Sequence, residues 1–243
     1  MTMDSVAQKI SRRQSSLRAI AVALLLLMLA SPAVIGYSAA PAPAVTGTVS
    51  LVNAKSKDAG NVAIWLEPVG AAKGAGKGET PVLRQKGKQF VPRVVFCQVG
   101  QKVDFPNDDP FPHNVFSSSD VKKFDLGLYQ AGETRQLPMT RPGVIPVFCN
   151  IHPQMKAFII VVKSPFYGVS DKNGDIQIKD VTPGNYRLKV WHERAKQEKL
   201  DELSRPVTVT ASGANLGTIQ VDESGFFTVP HKNKDGKDYA PGN

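Results

Sequence analysis

Cys149, His152 and Met155 stand at Cys-x2-His-x2-Met spacing in the stretch Phe148-Cys149-Asn150-Ile151-His152-Pro153-Gln154-Met155. Apolar runs at residues 144–148 and 158–162 flank that stretch. Two strands joined by a short loop would hold the three side chains around one point. A thiolate, two imidazoles and a weak, long thioether contact are what a mononuclear blue-copper site needs. The second imidazole must come from elsewhere in the chain. The best candidate is His113, in Phe111-Pro112-His113-Asn114-Val115, 36 positions before Cys149.

Each donor has its own requirement. Cys149 must be ionised to bind metal, and a metal with a neighbouring imidazole would lower its pKa. His113 and His152 would each offer one neutral nitrogen, with the other held by a hydrogen bond or facing solvent. Met155 would be the weak axial group. Two other readings compete. Cys97 and Cys149, the only cysteines, could form a disulfide in an exported chain. That pairing explains two residues where the ligand set explains four, so Cys97 is read as a buried strand thiol. A zinc site of Cys149, His113 and His152 with water is also open, although it leaves Met155 without a role. The Cys-x-x-Cys-His of a covalent haem is absent.

The elements that must position these residues read as strands. Residues 45–51 and 62–66 alternate or run apolar, and residues 69–78 form a Gly, Ala and Lys connection. Short strands then follow at 81–85, 90–95, 102–105, 113–116, 123–128, 133–139, 144–148 and 158–162, with Asn107-Asp108-Asp109-Pro110 as a strong turn. A second β-rich block has strands at 166–170, 176–178, 186–191, 206–210 and 216–221. In that block residues 195–203 read as a loop or a single turn, and Asp171-Lys172-Asn173-Gly174-Asp175 as a β-turn, since no Glu follows at the twelfth position of a calcium loop. His192 reads as a plain strand-end histidine. Residues 222–243 are expected to be a disordered tail, with His231 in solvent. The 18 Pro and 20 Gly suit an all-β chain with many turns.

Residues 1–36 read as a signal peptide. Four basic residues precede an unbroken apolar run of twelve at 19–30, shorter than the roughly 20 residues a membrane span needs. The leader carries four basic groups and one acidic group, so its removal takes the net charge from +9 to +6. The product would be periplasmic or secreted, with no membrane span. Lysines are scattered rather than interleaved with aromatics, so the basic balance does not point to nucleic acid.

Residues 78–163 resemble the cupredoxins, the blue-copper fold of plastocyanin, pseudoazurin and amicyanin. The carriers of the resemblance are Cys149-x-x-His152-Pro153-x-Met155 and the upstream His113-Asn114-Val115. The likeness implies a Greek-key β-sandwich holding one type 1 copper ion on His113, Cys149, His152 and Met155. It also implies that Asn114 braces the ligand loop by hydrogen bonding. His152 would lie at the surface within an apolar collar of Phe111, Pro112 and Pro153. Phe124-Asp125-Leu126-Gly127 and Val190-Trp191-His192-Glu193 widen the resemblance to plastocyanin-like methylamine-utilisation proteins. Residues 167–221 are similar to a smaller prealbumin-like module of the carboxypeptidase-regulatory type, through Asp171-x-Asn173-Gly174 and Pro183-Gly184-x-Tyr186-x-Leu188. Residues 47–49 and 62–66 fit the opening strands of that module. The expected domains are therefore 45–70 with 165–221, and a copper domain at 78–163 inserted between them.

The expectation is a monomeric one-electron carrier that meets its redox partners, a cytochrome or a dehydrogenase, through small transient interfaces. Copper storage or delivery without electron transfer is the alternative. An enzyme is disfavoured, because copper oxidases and nitrite reductases need a further catalytic metal and four His leave little for one.

Overall fold

A computed structural model describes residues 43–70, 78–227 and 230–239. The expected leader and most of the Gly/Lys connection lie outside the described residues. Among those described, no helix is long and apolar enough to cross a membrane.

The sheet that carries the ligand loop is built around a hairpin. Strand β10 (Gly143–Phe148) and β11 (Lys156–Val162) pair antiparallel from Gly143↔Val161 to Phe148↔Lys156. β5 (Val94–Gln98) joins β11 in parallel. On the other side β7 (His113–Ser118) meets β10 at Phe148↔Phe116, and β8 (Lys123–Tyr129) pairs with β7, giving the order β5-β11-β10-β7-β8. Because β10 and β7 are antiparallel, the chain leaving Phe148 runs toward the start of β7, where His113 stands. The second layer contains β6 (Lys102–Pro106) paired with β9 (Thr134–Pro138), flanked by the short hairpin β3 (Arg84–Gln85) and β4 (Phe90–Val91). The run at 90–95, expected as one strand, is split between β4 and β5. Pro92 falls in the gap, and a proline has no N–H to continue a ladder.

The unbroken apolar sequence of β11 has a plain cause. Its side chains alternate between faces, and both faces are covered. Ala157, Ile159 and Val161 enter the core of the ligand-bearing sandwich with Phe105, Val115 and Ile145. Phe158, Ile160 and Val162, with Val94 and Phe96 of β5, enter a second core.

That second core belongs to two further sheets. β1 (Val45–Val52) lies between β13 (Asp175–Ile178) and β16 (Ala214–Asp222). The other sheet runs β12-β2-β14-β15, made of β2 (Ala63–Pro68), β12 (Tyr167–Val169), β14 (Gly184–Trp191) and β15 (Pro206–Val209). Strands from before and after the ligand-bearing sheet therefore share both of these sheets. The Asp171 turn closes on its own side chain, whose Oδ1 accepts from the amides of Asn173 and Asp175. Gly174 there has φ +90°, and a Cβ would run into the Val49 carbonyl, so the position needs glycine. Residues 195–203, expected as loop or turn, contain a short helix, α1 (Gln197–Glu202). No side chain caps its N-terminus. It is held instead by buried Leu200, a tertiary contact that local sequence does not announce.

The sandwiches are joined by a charged contact. Glu193, 9% exposed, takes Arg93 in a bidentate pair at 2.6 and 2.8 Å, and Lys156 lies 3.6 Å away. Arg93 also donates to the Lys156 carbonyl at 3.2 Å, one residue beyond Met155. Burial pushes the Glu193 carboxyl up, but the Arg93 hydrogen bonds and the charges of Arg93 and Lys156 outweigh it and hold the group below its ordinary value of 4.5. A lowered folded value means the stabilisation is complete above that range and is lost as pH falls through it. Glu193→Gln is expected to cost about 2 kcal/mol in urea unfolding at pH 7, less than a fully buried pair because Arg93 is 39% exposed. The difference from wild type should shrink as the pH is lowered into the acid limb. A constant difference from pH 7 to 3 would rule out the ion pair as its source.

His192, the strand-end histidine, is buried as well. Its Nε2 lies 3.0 Å from Glu223 Oε1, which also accepts from Arg194 at 2.8 Å. His192 is therefore a buried histidine paired with a carboxylate rather than a solvent-facing strand end.

Candidate metal centre

The loop from Cys149 to Met155 closes on itself through two backbone bonds. The Cys149 amide donates to the Met155 carbonyl at 3.3 Å, and the Met155 amide to the His152 carbonyl at 3.0 Å. This turn returns the chain into β11 and brings Cys149, His152 and Met155 to one end of the sheet. His113, the first residue of β7, reaches the same end through the β7–β10 register. His113, Cys149 and Met155 are fully buried, and His152 is partly exposed.

Three donor atoms converge. Cys149 Sγ is 3.8 Å from His113 Nδ1 and 3.8 Å from His152 Nδ1, and the two nitrogens are 3.2 Å apart. The point equidistant from the three atoms lies about 2.1 Å from each, close to the length of metal–imidazole bonds and slightly short for a metal–thiolate bond. The residues therefore fit a single ion without rearrangement of the fold. Met155 is buried in the same core as Cys149.

The surroundings shift the Cys149 thiol toward ionisation. Burial alone pushes the Cys149 thiol up, but hydrogen bonding from His113 and from the amides of Asn114, Ile151 and His152 outweighs it and lowers the group below its ordinary value. Burial pulls the His113 imidazolium down, yet its bonds to Cys149 and Asp109 leave it raised. His152 is lowered, first by burial and then by the charges of His113 and Lys88.

Asp109 is the residue that sequence reasoning missed. In the sequence it is visible only as part of the Asn-Asp-Asp-Pro turn. In the fold its Oδ2 is 2.8 Å from His113 Nε2, and its two oxygens accept from the amides of Gly87 and Lys88 at 2.6 and 2.9 Å. With Nε2–H donated to a carboxylate, His113 presents Nδ1 to the cluster. Metal-bound histidines are commonly held in this way. The available signal was an acidic residue four positions before a candidate ligand.

The residues expected around the ligands behave differently from one another. Phe111 lies against both imidazoles, 5.2 Å from the His113 ring and 5.9 Å from that of His152. The Lys88 ammonium sits over the Phe111 ring, 5.5 Å from its centroid. The Asn114 side chain does not reach the ligand loop. Its Nδ2 donates to Asp125 in β8 at 2.6 Å, and its backbone amide makes the contact with the Cys149 sulfur. Pro153 offers its carbonyl to His231 at 2.7 Å. The sequence places His231 in solvent, and this contact corrects that reading. Cys97 and Cys149 form no disulfide: Cys97 is buried in β5, its Sγ 3.5 Å from the Gln98 carbonyl.

A β-sandwich whose hairpin loop gathers one thiol and two imidazoles in this way has a cupredoxin-like fold. The chain is 31% identical over 72 residues to plastocyanin from Ulva arasakii, a match spanning 26% of this chain and 74% of that protein. Plastocyanin from Ulva pertusa matches with the same identity and coverage. The chain belongs to the plastocyanin family of cupredoxins through this part of its length. No family model matches it. Among solved structures it is similar to a purple cupredoxin from Nitrosopumilus maritimus, at 20% identity, 33% of this chain, 98% of that chain and a TM-score of 0.31. A mutant amicyanin in its reduced state overlaps 34% of this chain and 81% of its own, at 22% identity and a TM-score of 0.32.

Proposed function

We propose that this chain is an exported one-electron carrier that holds one type 1 copper ion on His113, Cys149, His152 and Met155. The observation that carries the reading is the point about 2.1 Å from two imidazole nitrogens and one thiol sulfur, a metal-binding distance. Copper bound there would supply one-electron cycling. Soft sulfur beside imidazole selects copper, and buried Met155 gives the thioether a purpose that zinc would not. The donors come from a packed core and a self-closed loop, so they move little between oxidation states. Asp109 fixes the His113 tautomer. His152, the partly exposed ligand next to half-buried Phe111 and Pro153, is the exit for the electron. A small transient contact there with a cytochrome or dehydrogenase suits turnover.

The remaining strands are read as a prealbumin-like module, residues 45–70 with 165–221, into which the copper domain at 78–163 is inserted. Its support is the sharing of β1 and β2 with strands that follow β11. Residues 1–36 would be removed on export to the periplasm or medium.

Copper-loaded protein should be intensely blue when oxidised and bleach on reduction. Stopped-flow mixing with a reduced cytochrome should bleach it faster than a chelator strips the metal. Stripping that outruns reduction would favour copper storage or delivery instead, and a colourless Cu(II) form would remove the assignment altogether.

A further inference from the structure

Residues 230–239 lie across the ligand loop. The His231 ring stacks on Phe148 with centroids 4.0 Å apart and planes at 24°, and its Nε2–H donates to the Pro153 carbonyl at 2.7 Å. The Lys234 amide donates to Asn150 Oδ1 at 2.9 Å. The Tyr239 hydroxyl donates to the Cys149 carbonyl at 2.9 Å, and its ring meets His231 edge-on, with the hydroxyl 3.3 Å from Nδ1.

The segment is itself ordered by a tight turn. Asn233 donates its amide to the Lys237 carbonyl at 2.8 Å, and its Oδ1 accepts from the amides of Asp235 and Lys237. Lys232 pairs with Asp238 at 2.6 Å. A turn closed in this way presents His231, the Lys234 amide and Tyr239 together.

The contacts fall on positions 148, 149, 150 and 153, interleaved with the ligands, and none is to a ligand side chain. They fix from outside a loop whose own backbone bonds are internal to it. Partners that hydrogen-bond a metal ligand directly are worth about 10- to 100-fold in metal affinity, and a support acting on the loop backbone between the ligands is expected on the same scale. We propose that residues 230–239 are a strap that keeps the ligand loop closed, so that the metal is retained while the strap is seated and exchanges when it lifts. The retention half of this proposal rests on the copper reading above. The clamping of the loop does not.

The test compares the full chain, a chain ending at residue 229, and Tyr239→Phe. In metal-free protein, amide hydrogen exchange at residues 149–154 should be faster in the truncated form and intermediate in Tyr239→Phe, with exchange in β1 and β16 unchanged. In Cu(I)-loaded protein, release to excess chelator should accelerate by about 10- to 100-fold on truncation. Unaltered loop exchange in the truncated form would overturn the strap. So would unaltered release from copper-loaded protein. If the intact chain binds no copper at all, the electron-carrier reading fails, and the metal-free exchange still decides whether the loop is clamped.

Discussion

Cys149→Ser is expected to give a folded protein with no intense visible absorption. The colour of a blue-copper site comes from its thiolate bond, and a serine hydroxyl is neither ionised at neutral pH nor soft enough to replace it. The side-chain change is one atom of similar reach in a fully buried position, so the sandwich core should tolerate it. The geometry allows a sharper expectation than loss of binding alone. His113, His152 and Met155 remain in place, so the variant should still take up metal, weakly and without colour. Far-ultraviolet circular dichroism matching wild type, together with the lost band, would assign the sulfur. A variant that keeps the blue band would remove Cys149, and with it the site, from consideration.

Asp109→Asn should have the second-largest effect. The carboxylate, 7% exposed, accepts three hydrogens: from His113 Nε2, from the Gly87 amide and from the Lys88 amide. An asparagine of the same shape offers one oxygen and one NH2, so at least one of those donors would face another donor. Leaving a buried group unmatched next to a former charge costs about 2–3 kcal/mol of folding stability. The effect on the centre is distinct from the effect on the fold. Once the Nε2–H has no fixed acceptor, the His113 ring can turn and its Nδ1 loses its aim. Loss of such an outer support lowers metal affinity by about 10- to 100-fold. Competition with a chelator and denaturant unfolding of the metal-free form measure the two effects separately. Equal metal affinity in wild type and variant would mean that Asp109 holds only the Gly87–Lys88 turn.

The two variants probe different lengths of sequence. Cys149, His152 and Met155 are legible together because three donors within seven residues, between two apolar runs, need only a hairpin to converge. His113 is legible as the best candidate for the second imidazole, but the path that brings it to the loop is not. Its approach depends on Phe148 pairing with Phe116, a register set by the packing of both faces of the sheet. Asp109 reads as turn chemistry, which it also performs. The Asn114 side chain is expected at the loop, yet its Nδ2 donates to Asp125 of β8 and its backbone amide alone touches the Cys149 sulfur.

What the residues determined without the fold was local. The donor set, the period-two alternation of strands such as β14, and the turns at Asp171 and Asn107 are encoded in neighbours and follow from short-range sterics and hydrogen bonding. What only the tertiary structure decided was mutual. It showed why β11 is apolar at every position after its first, because two cores meet at its faces, and why a polar tail reaches back across 90 residues to the cysteine carbonyl. A contact between distant segments depends on the summed packing of everything between them, and no window of adjacent residues carries that sum.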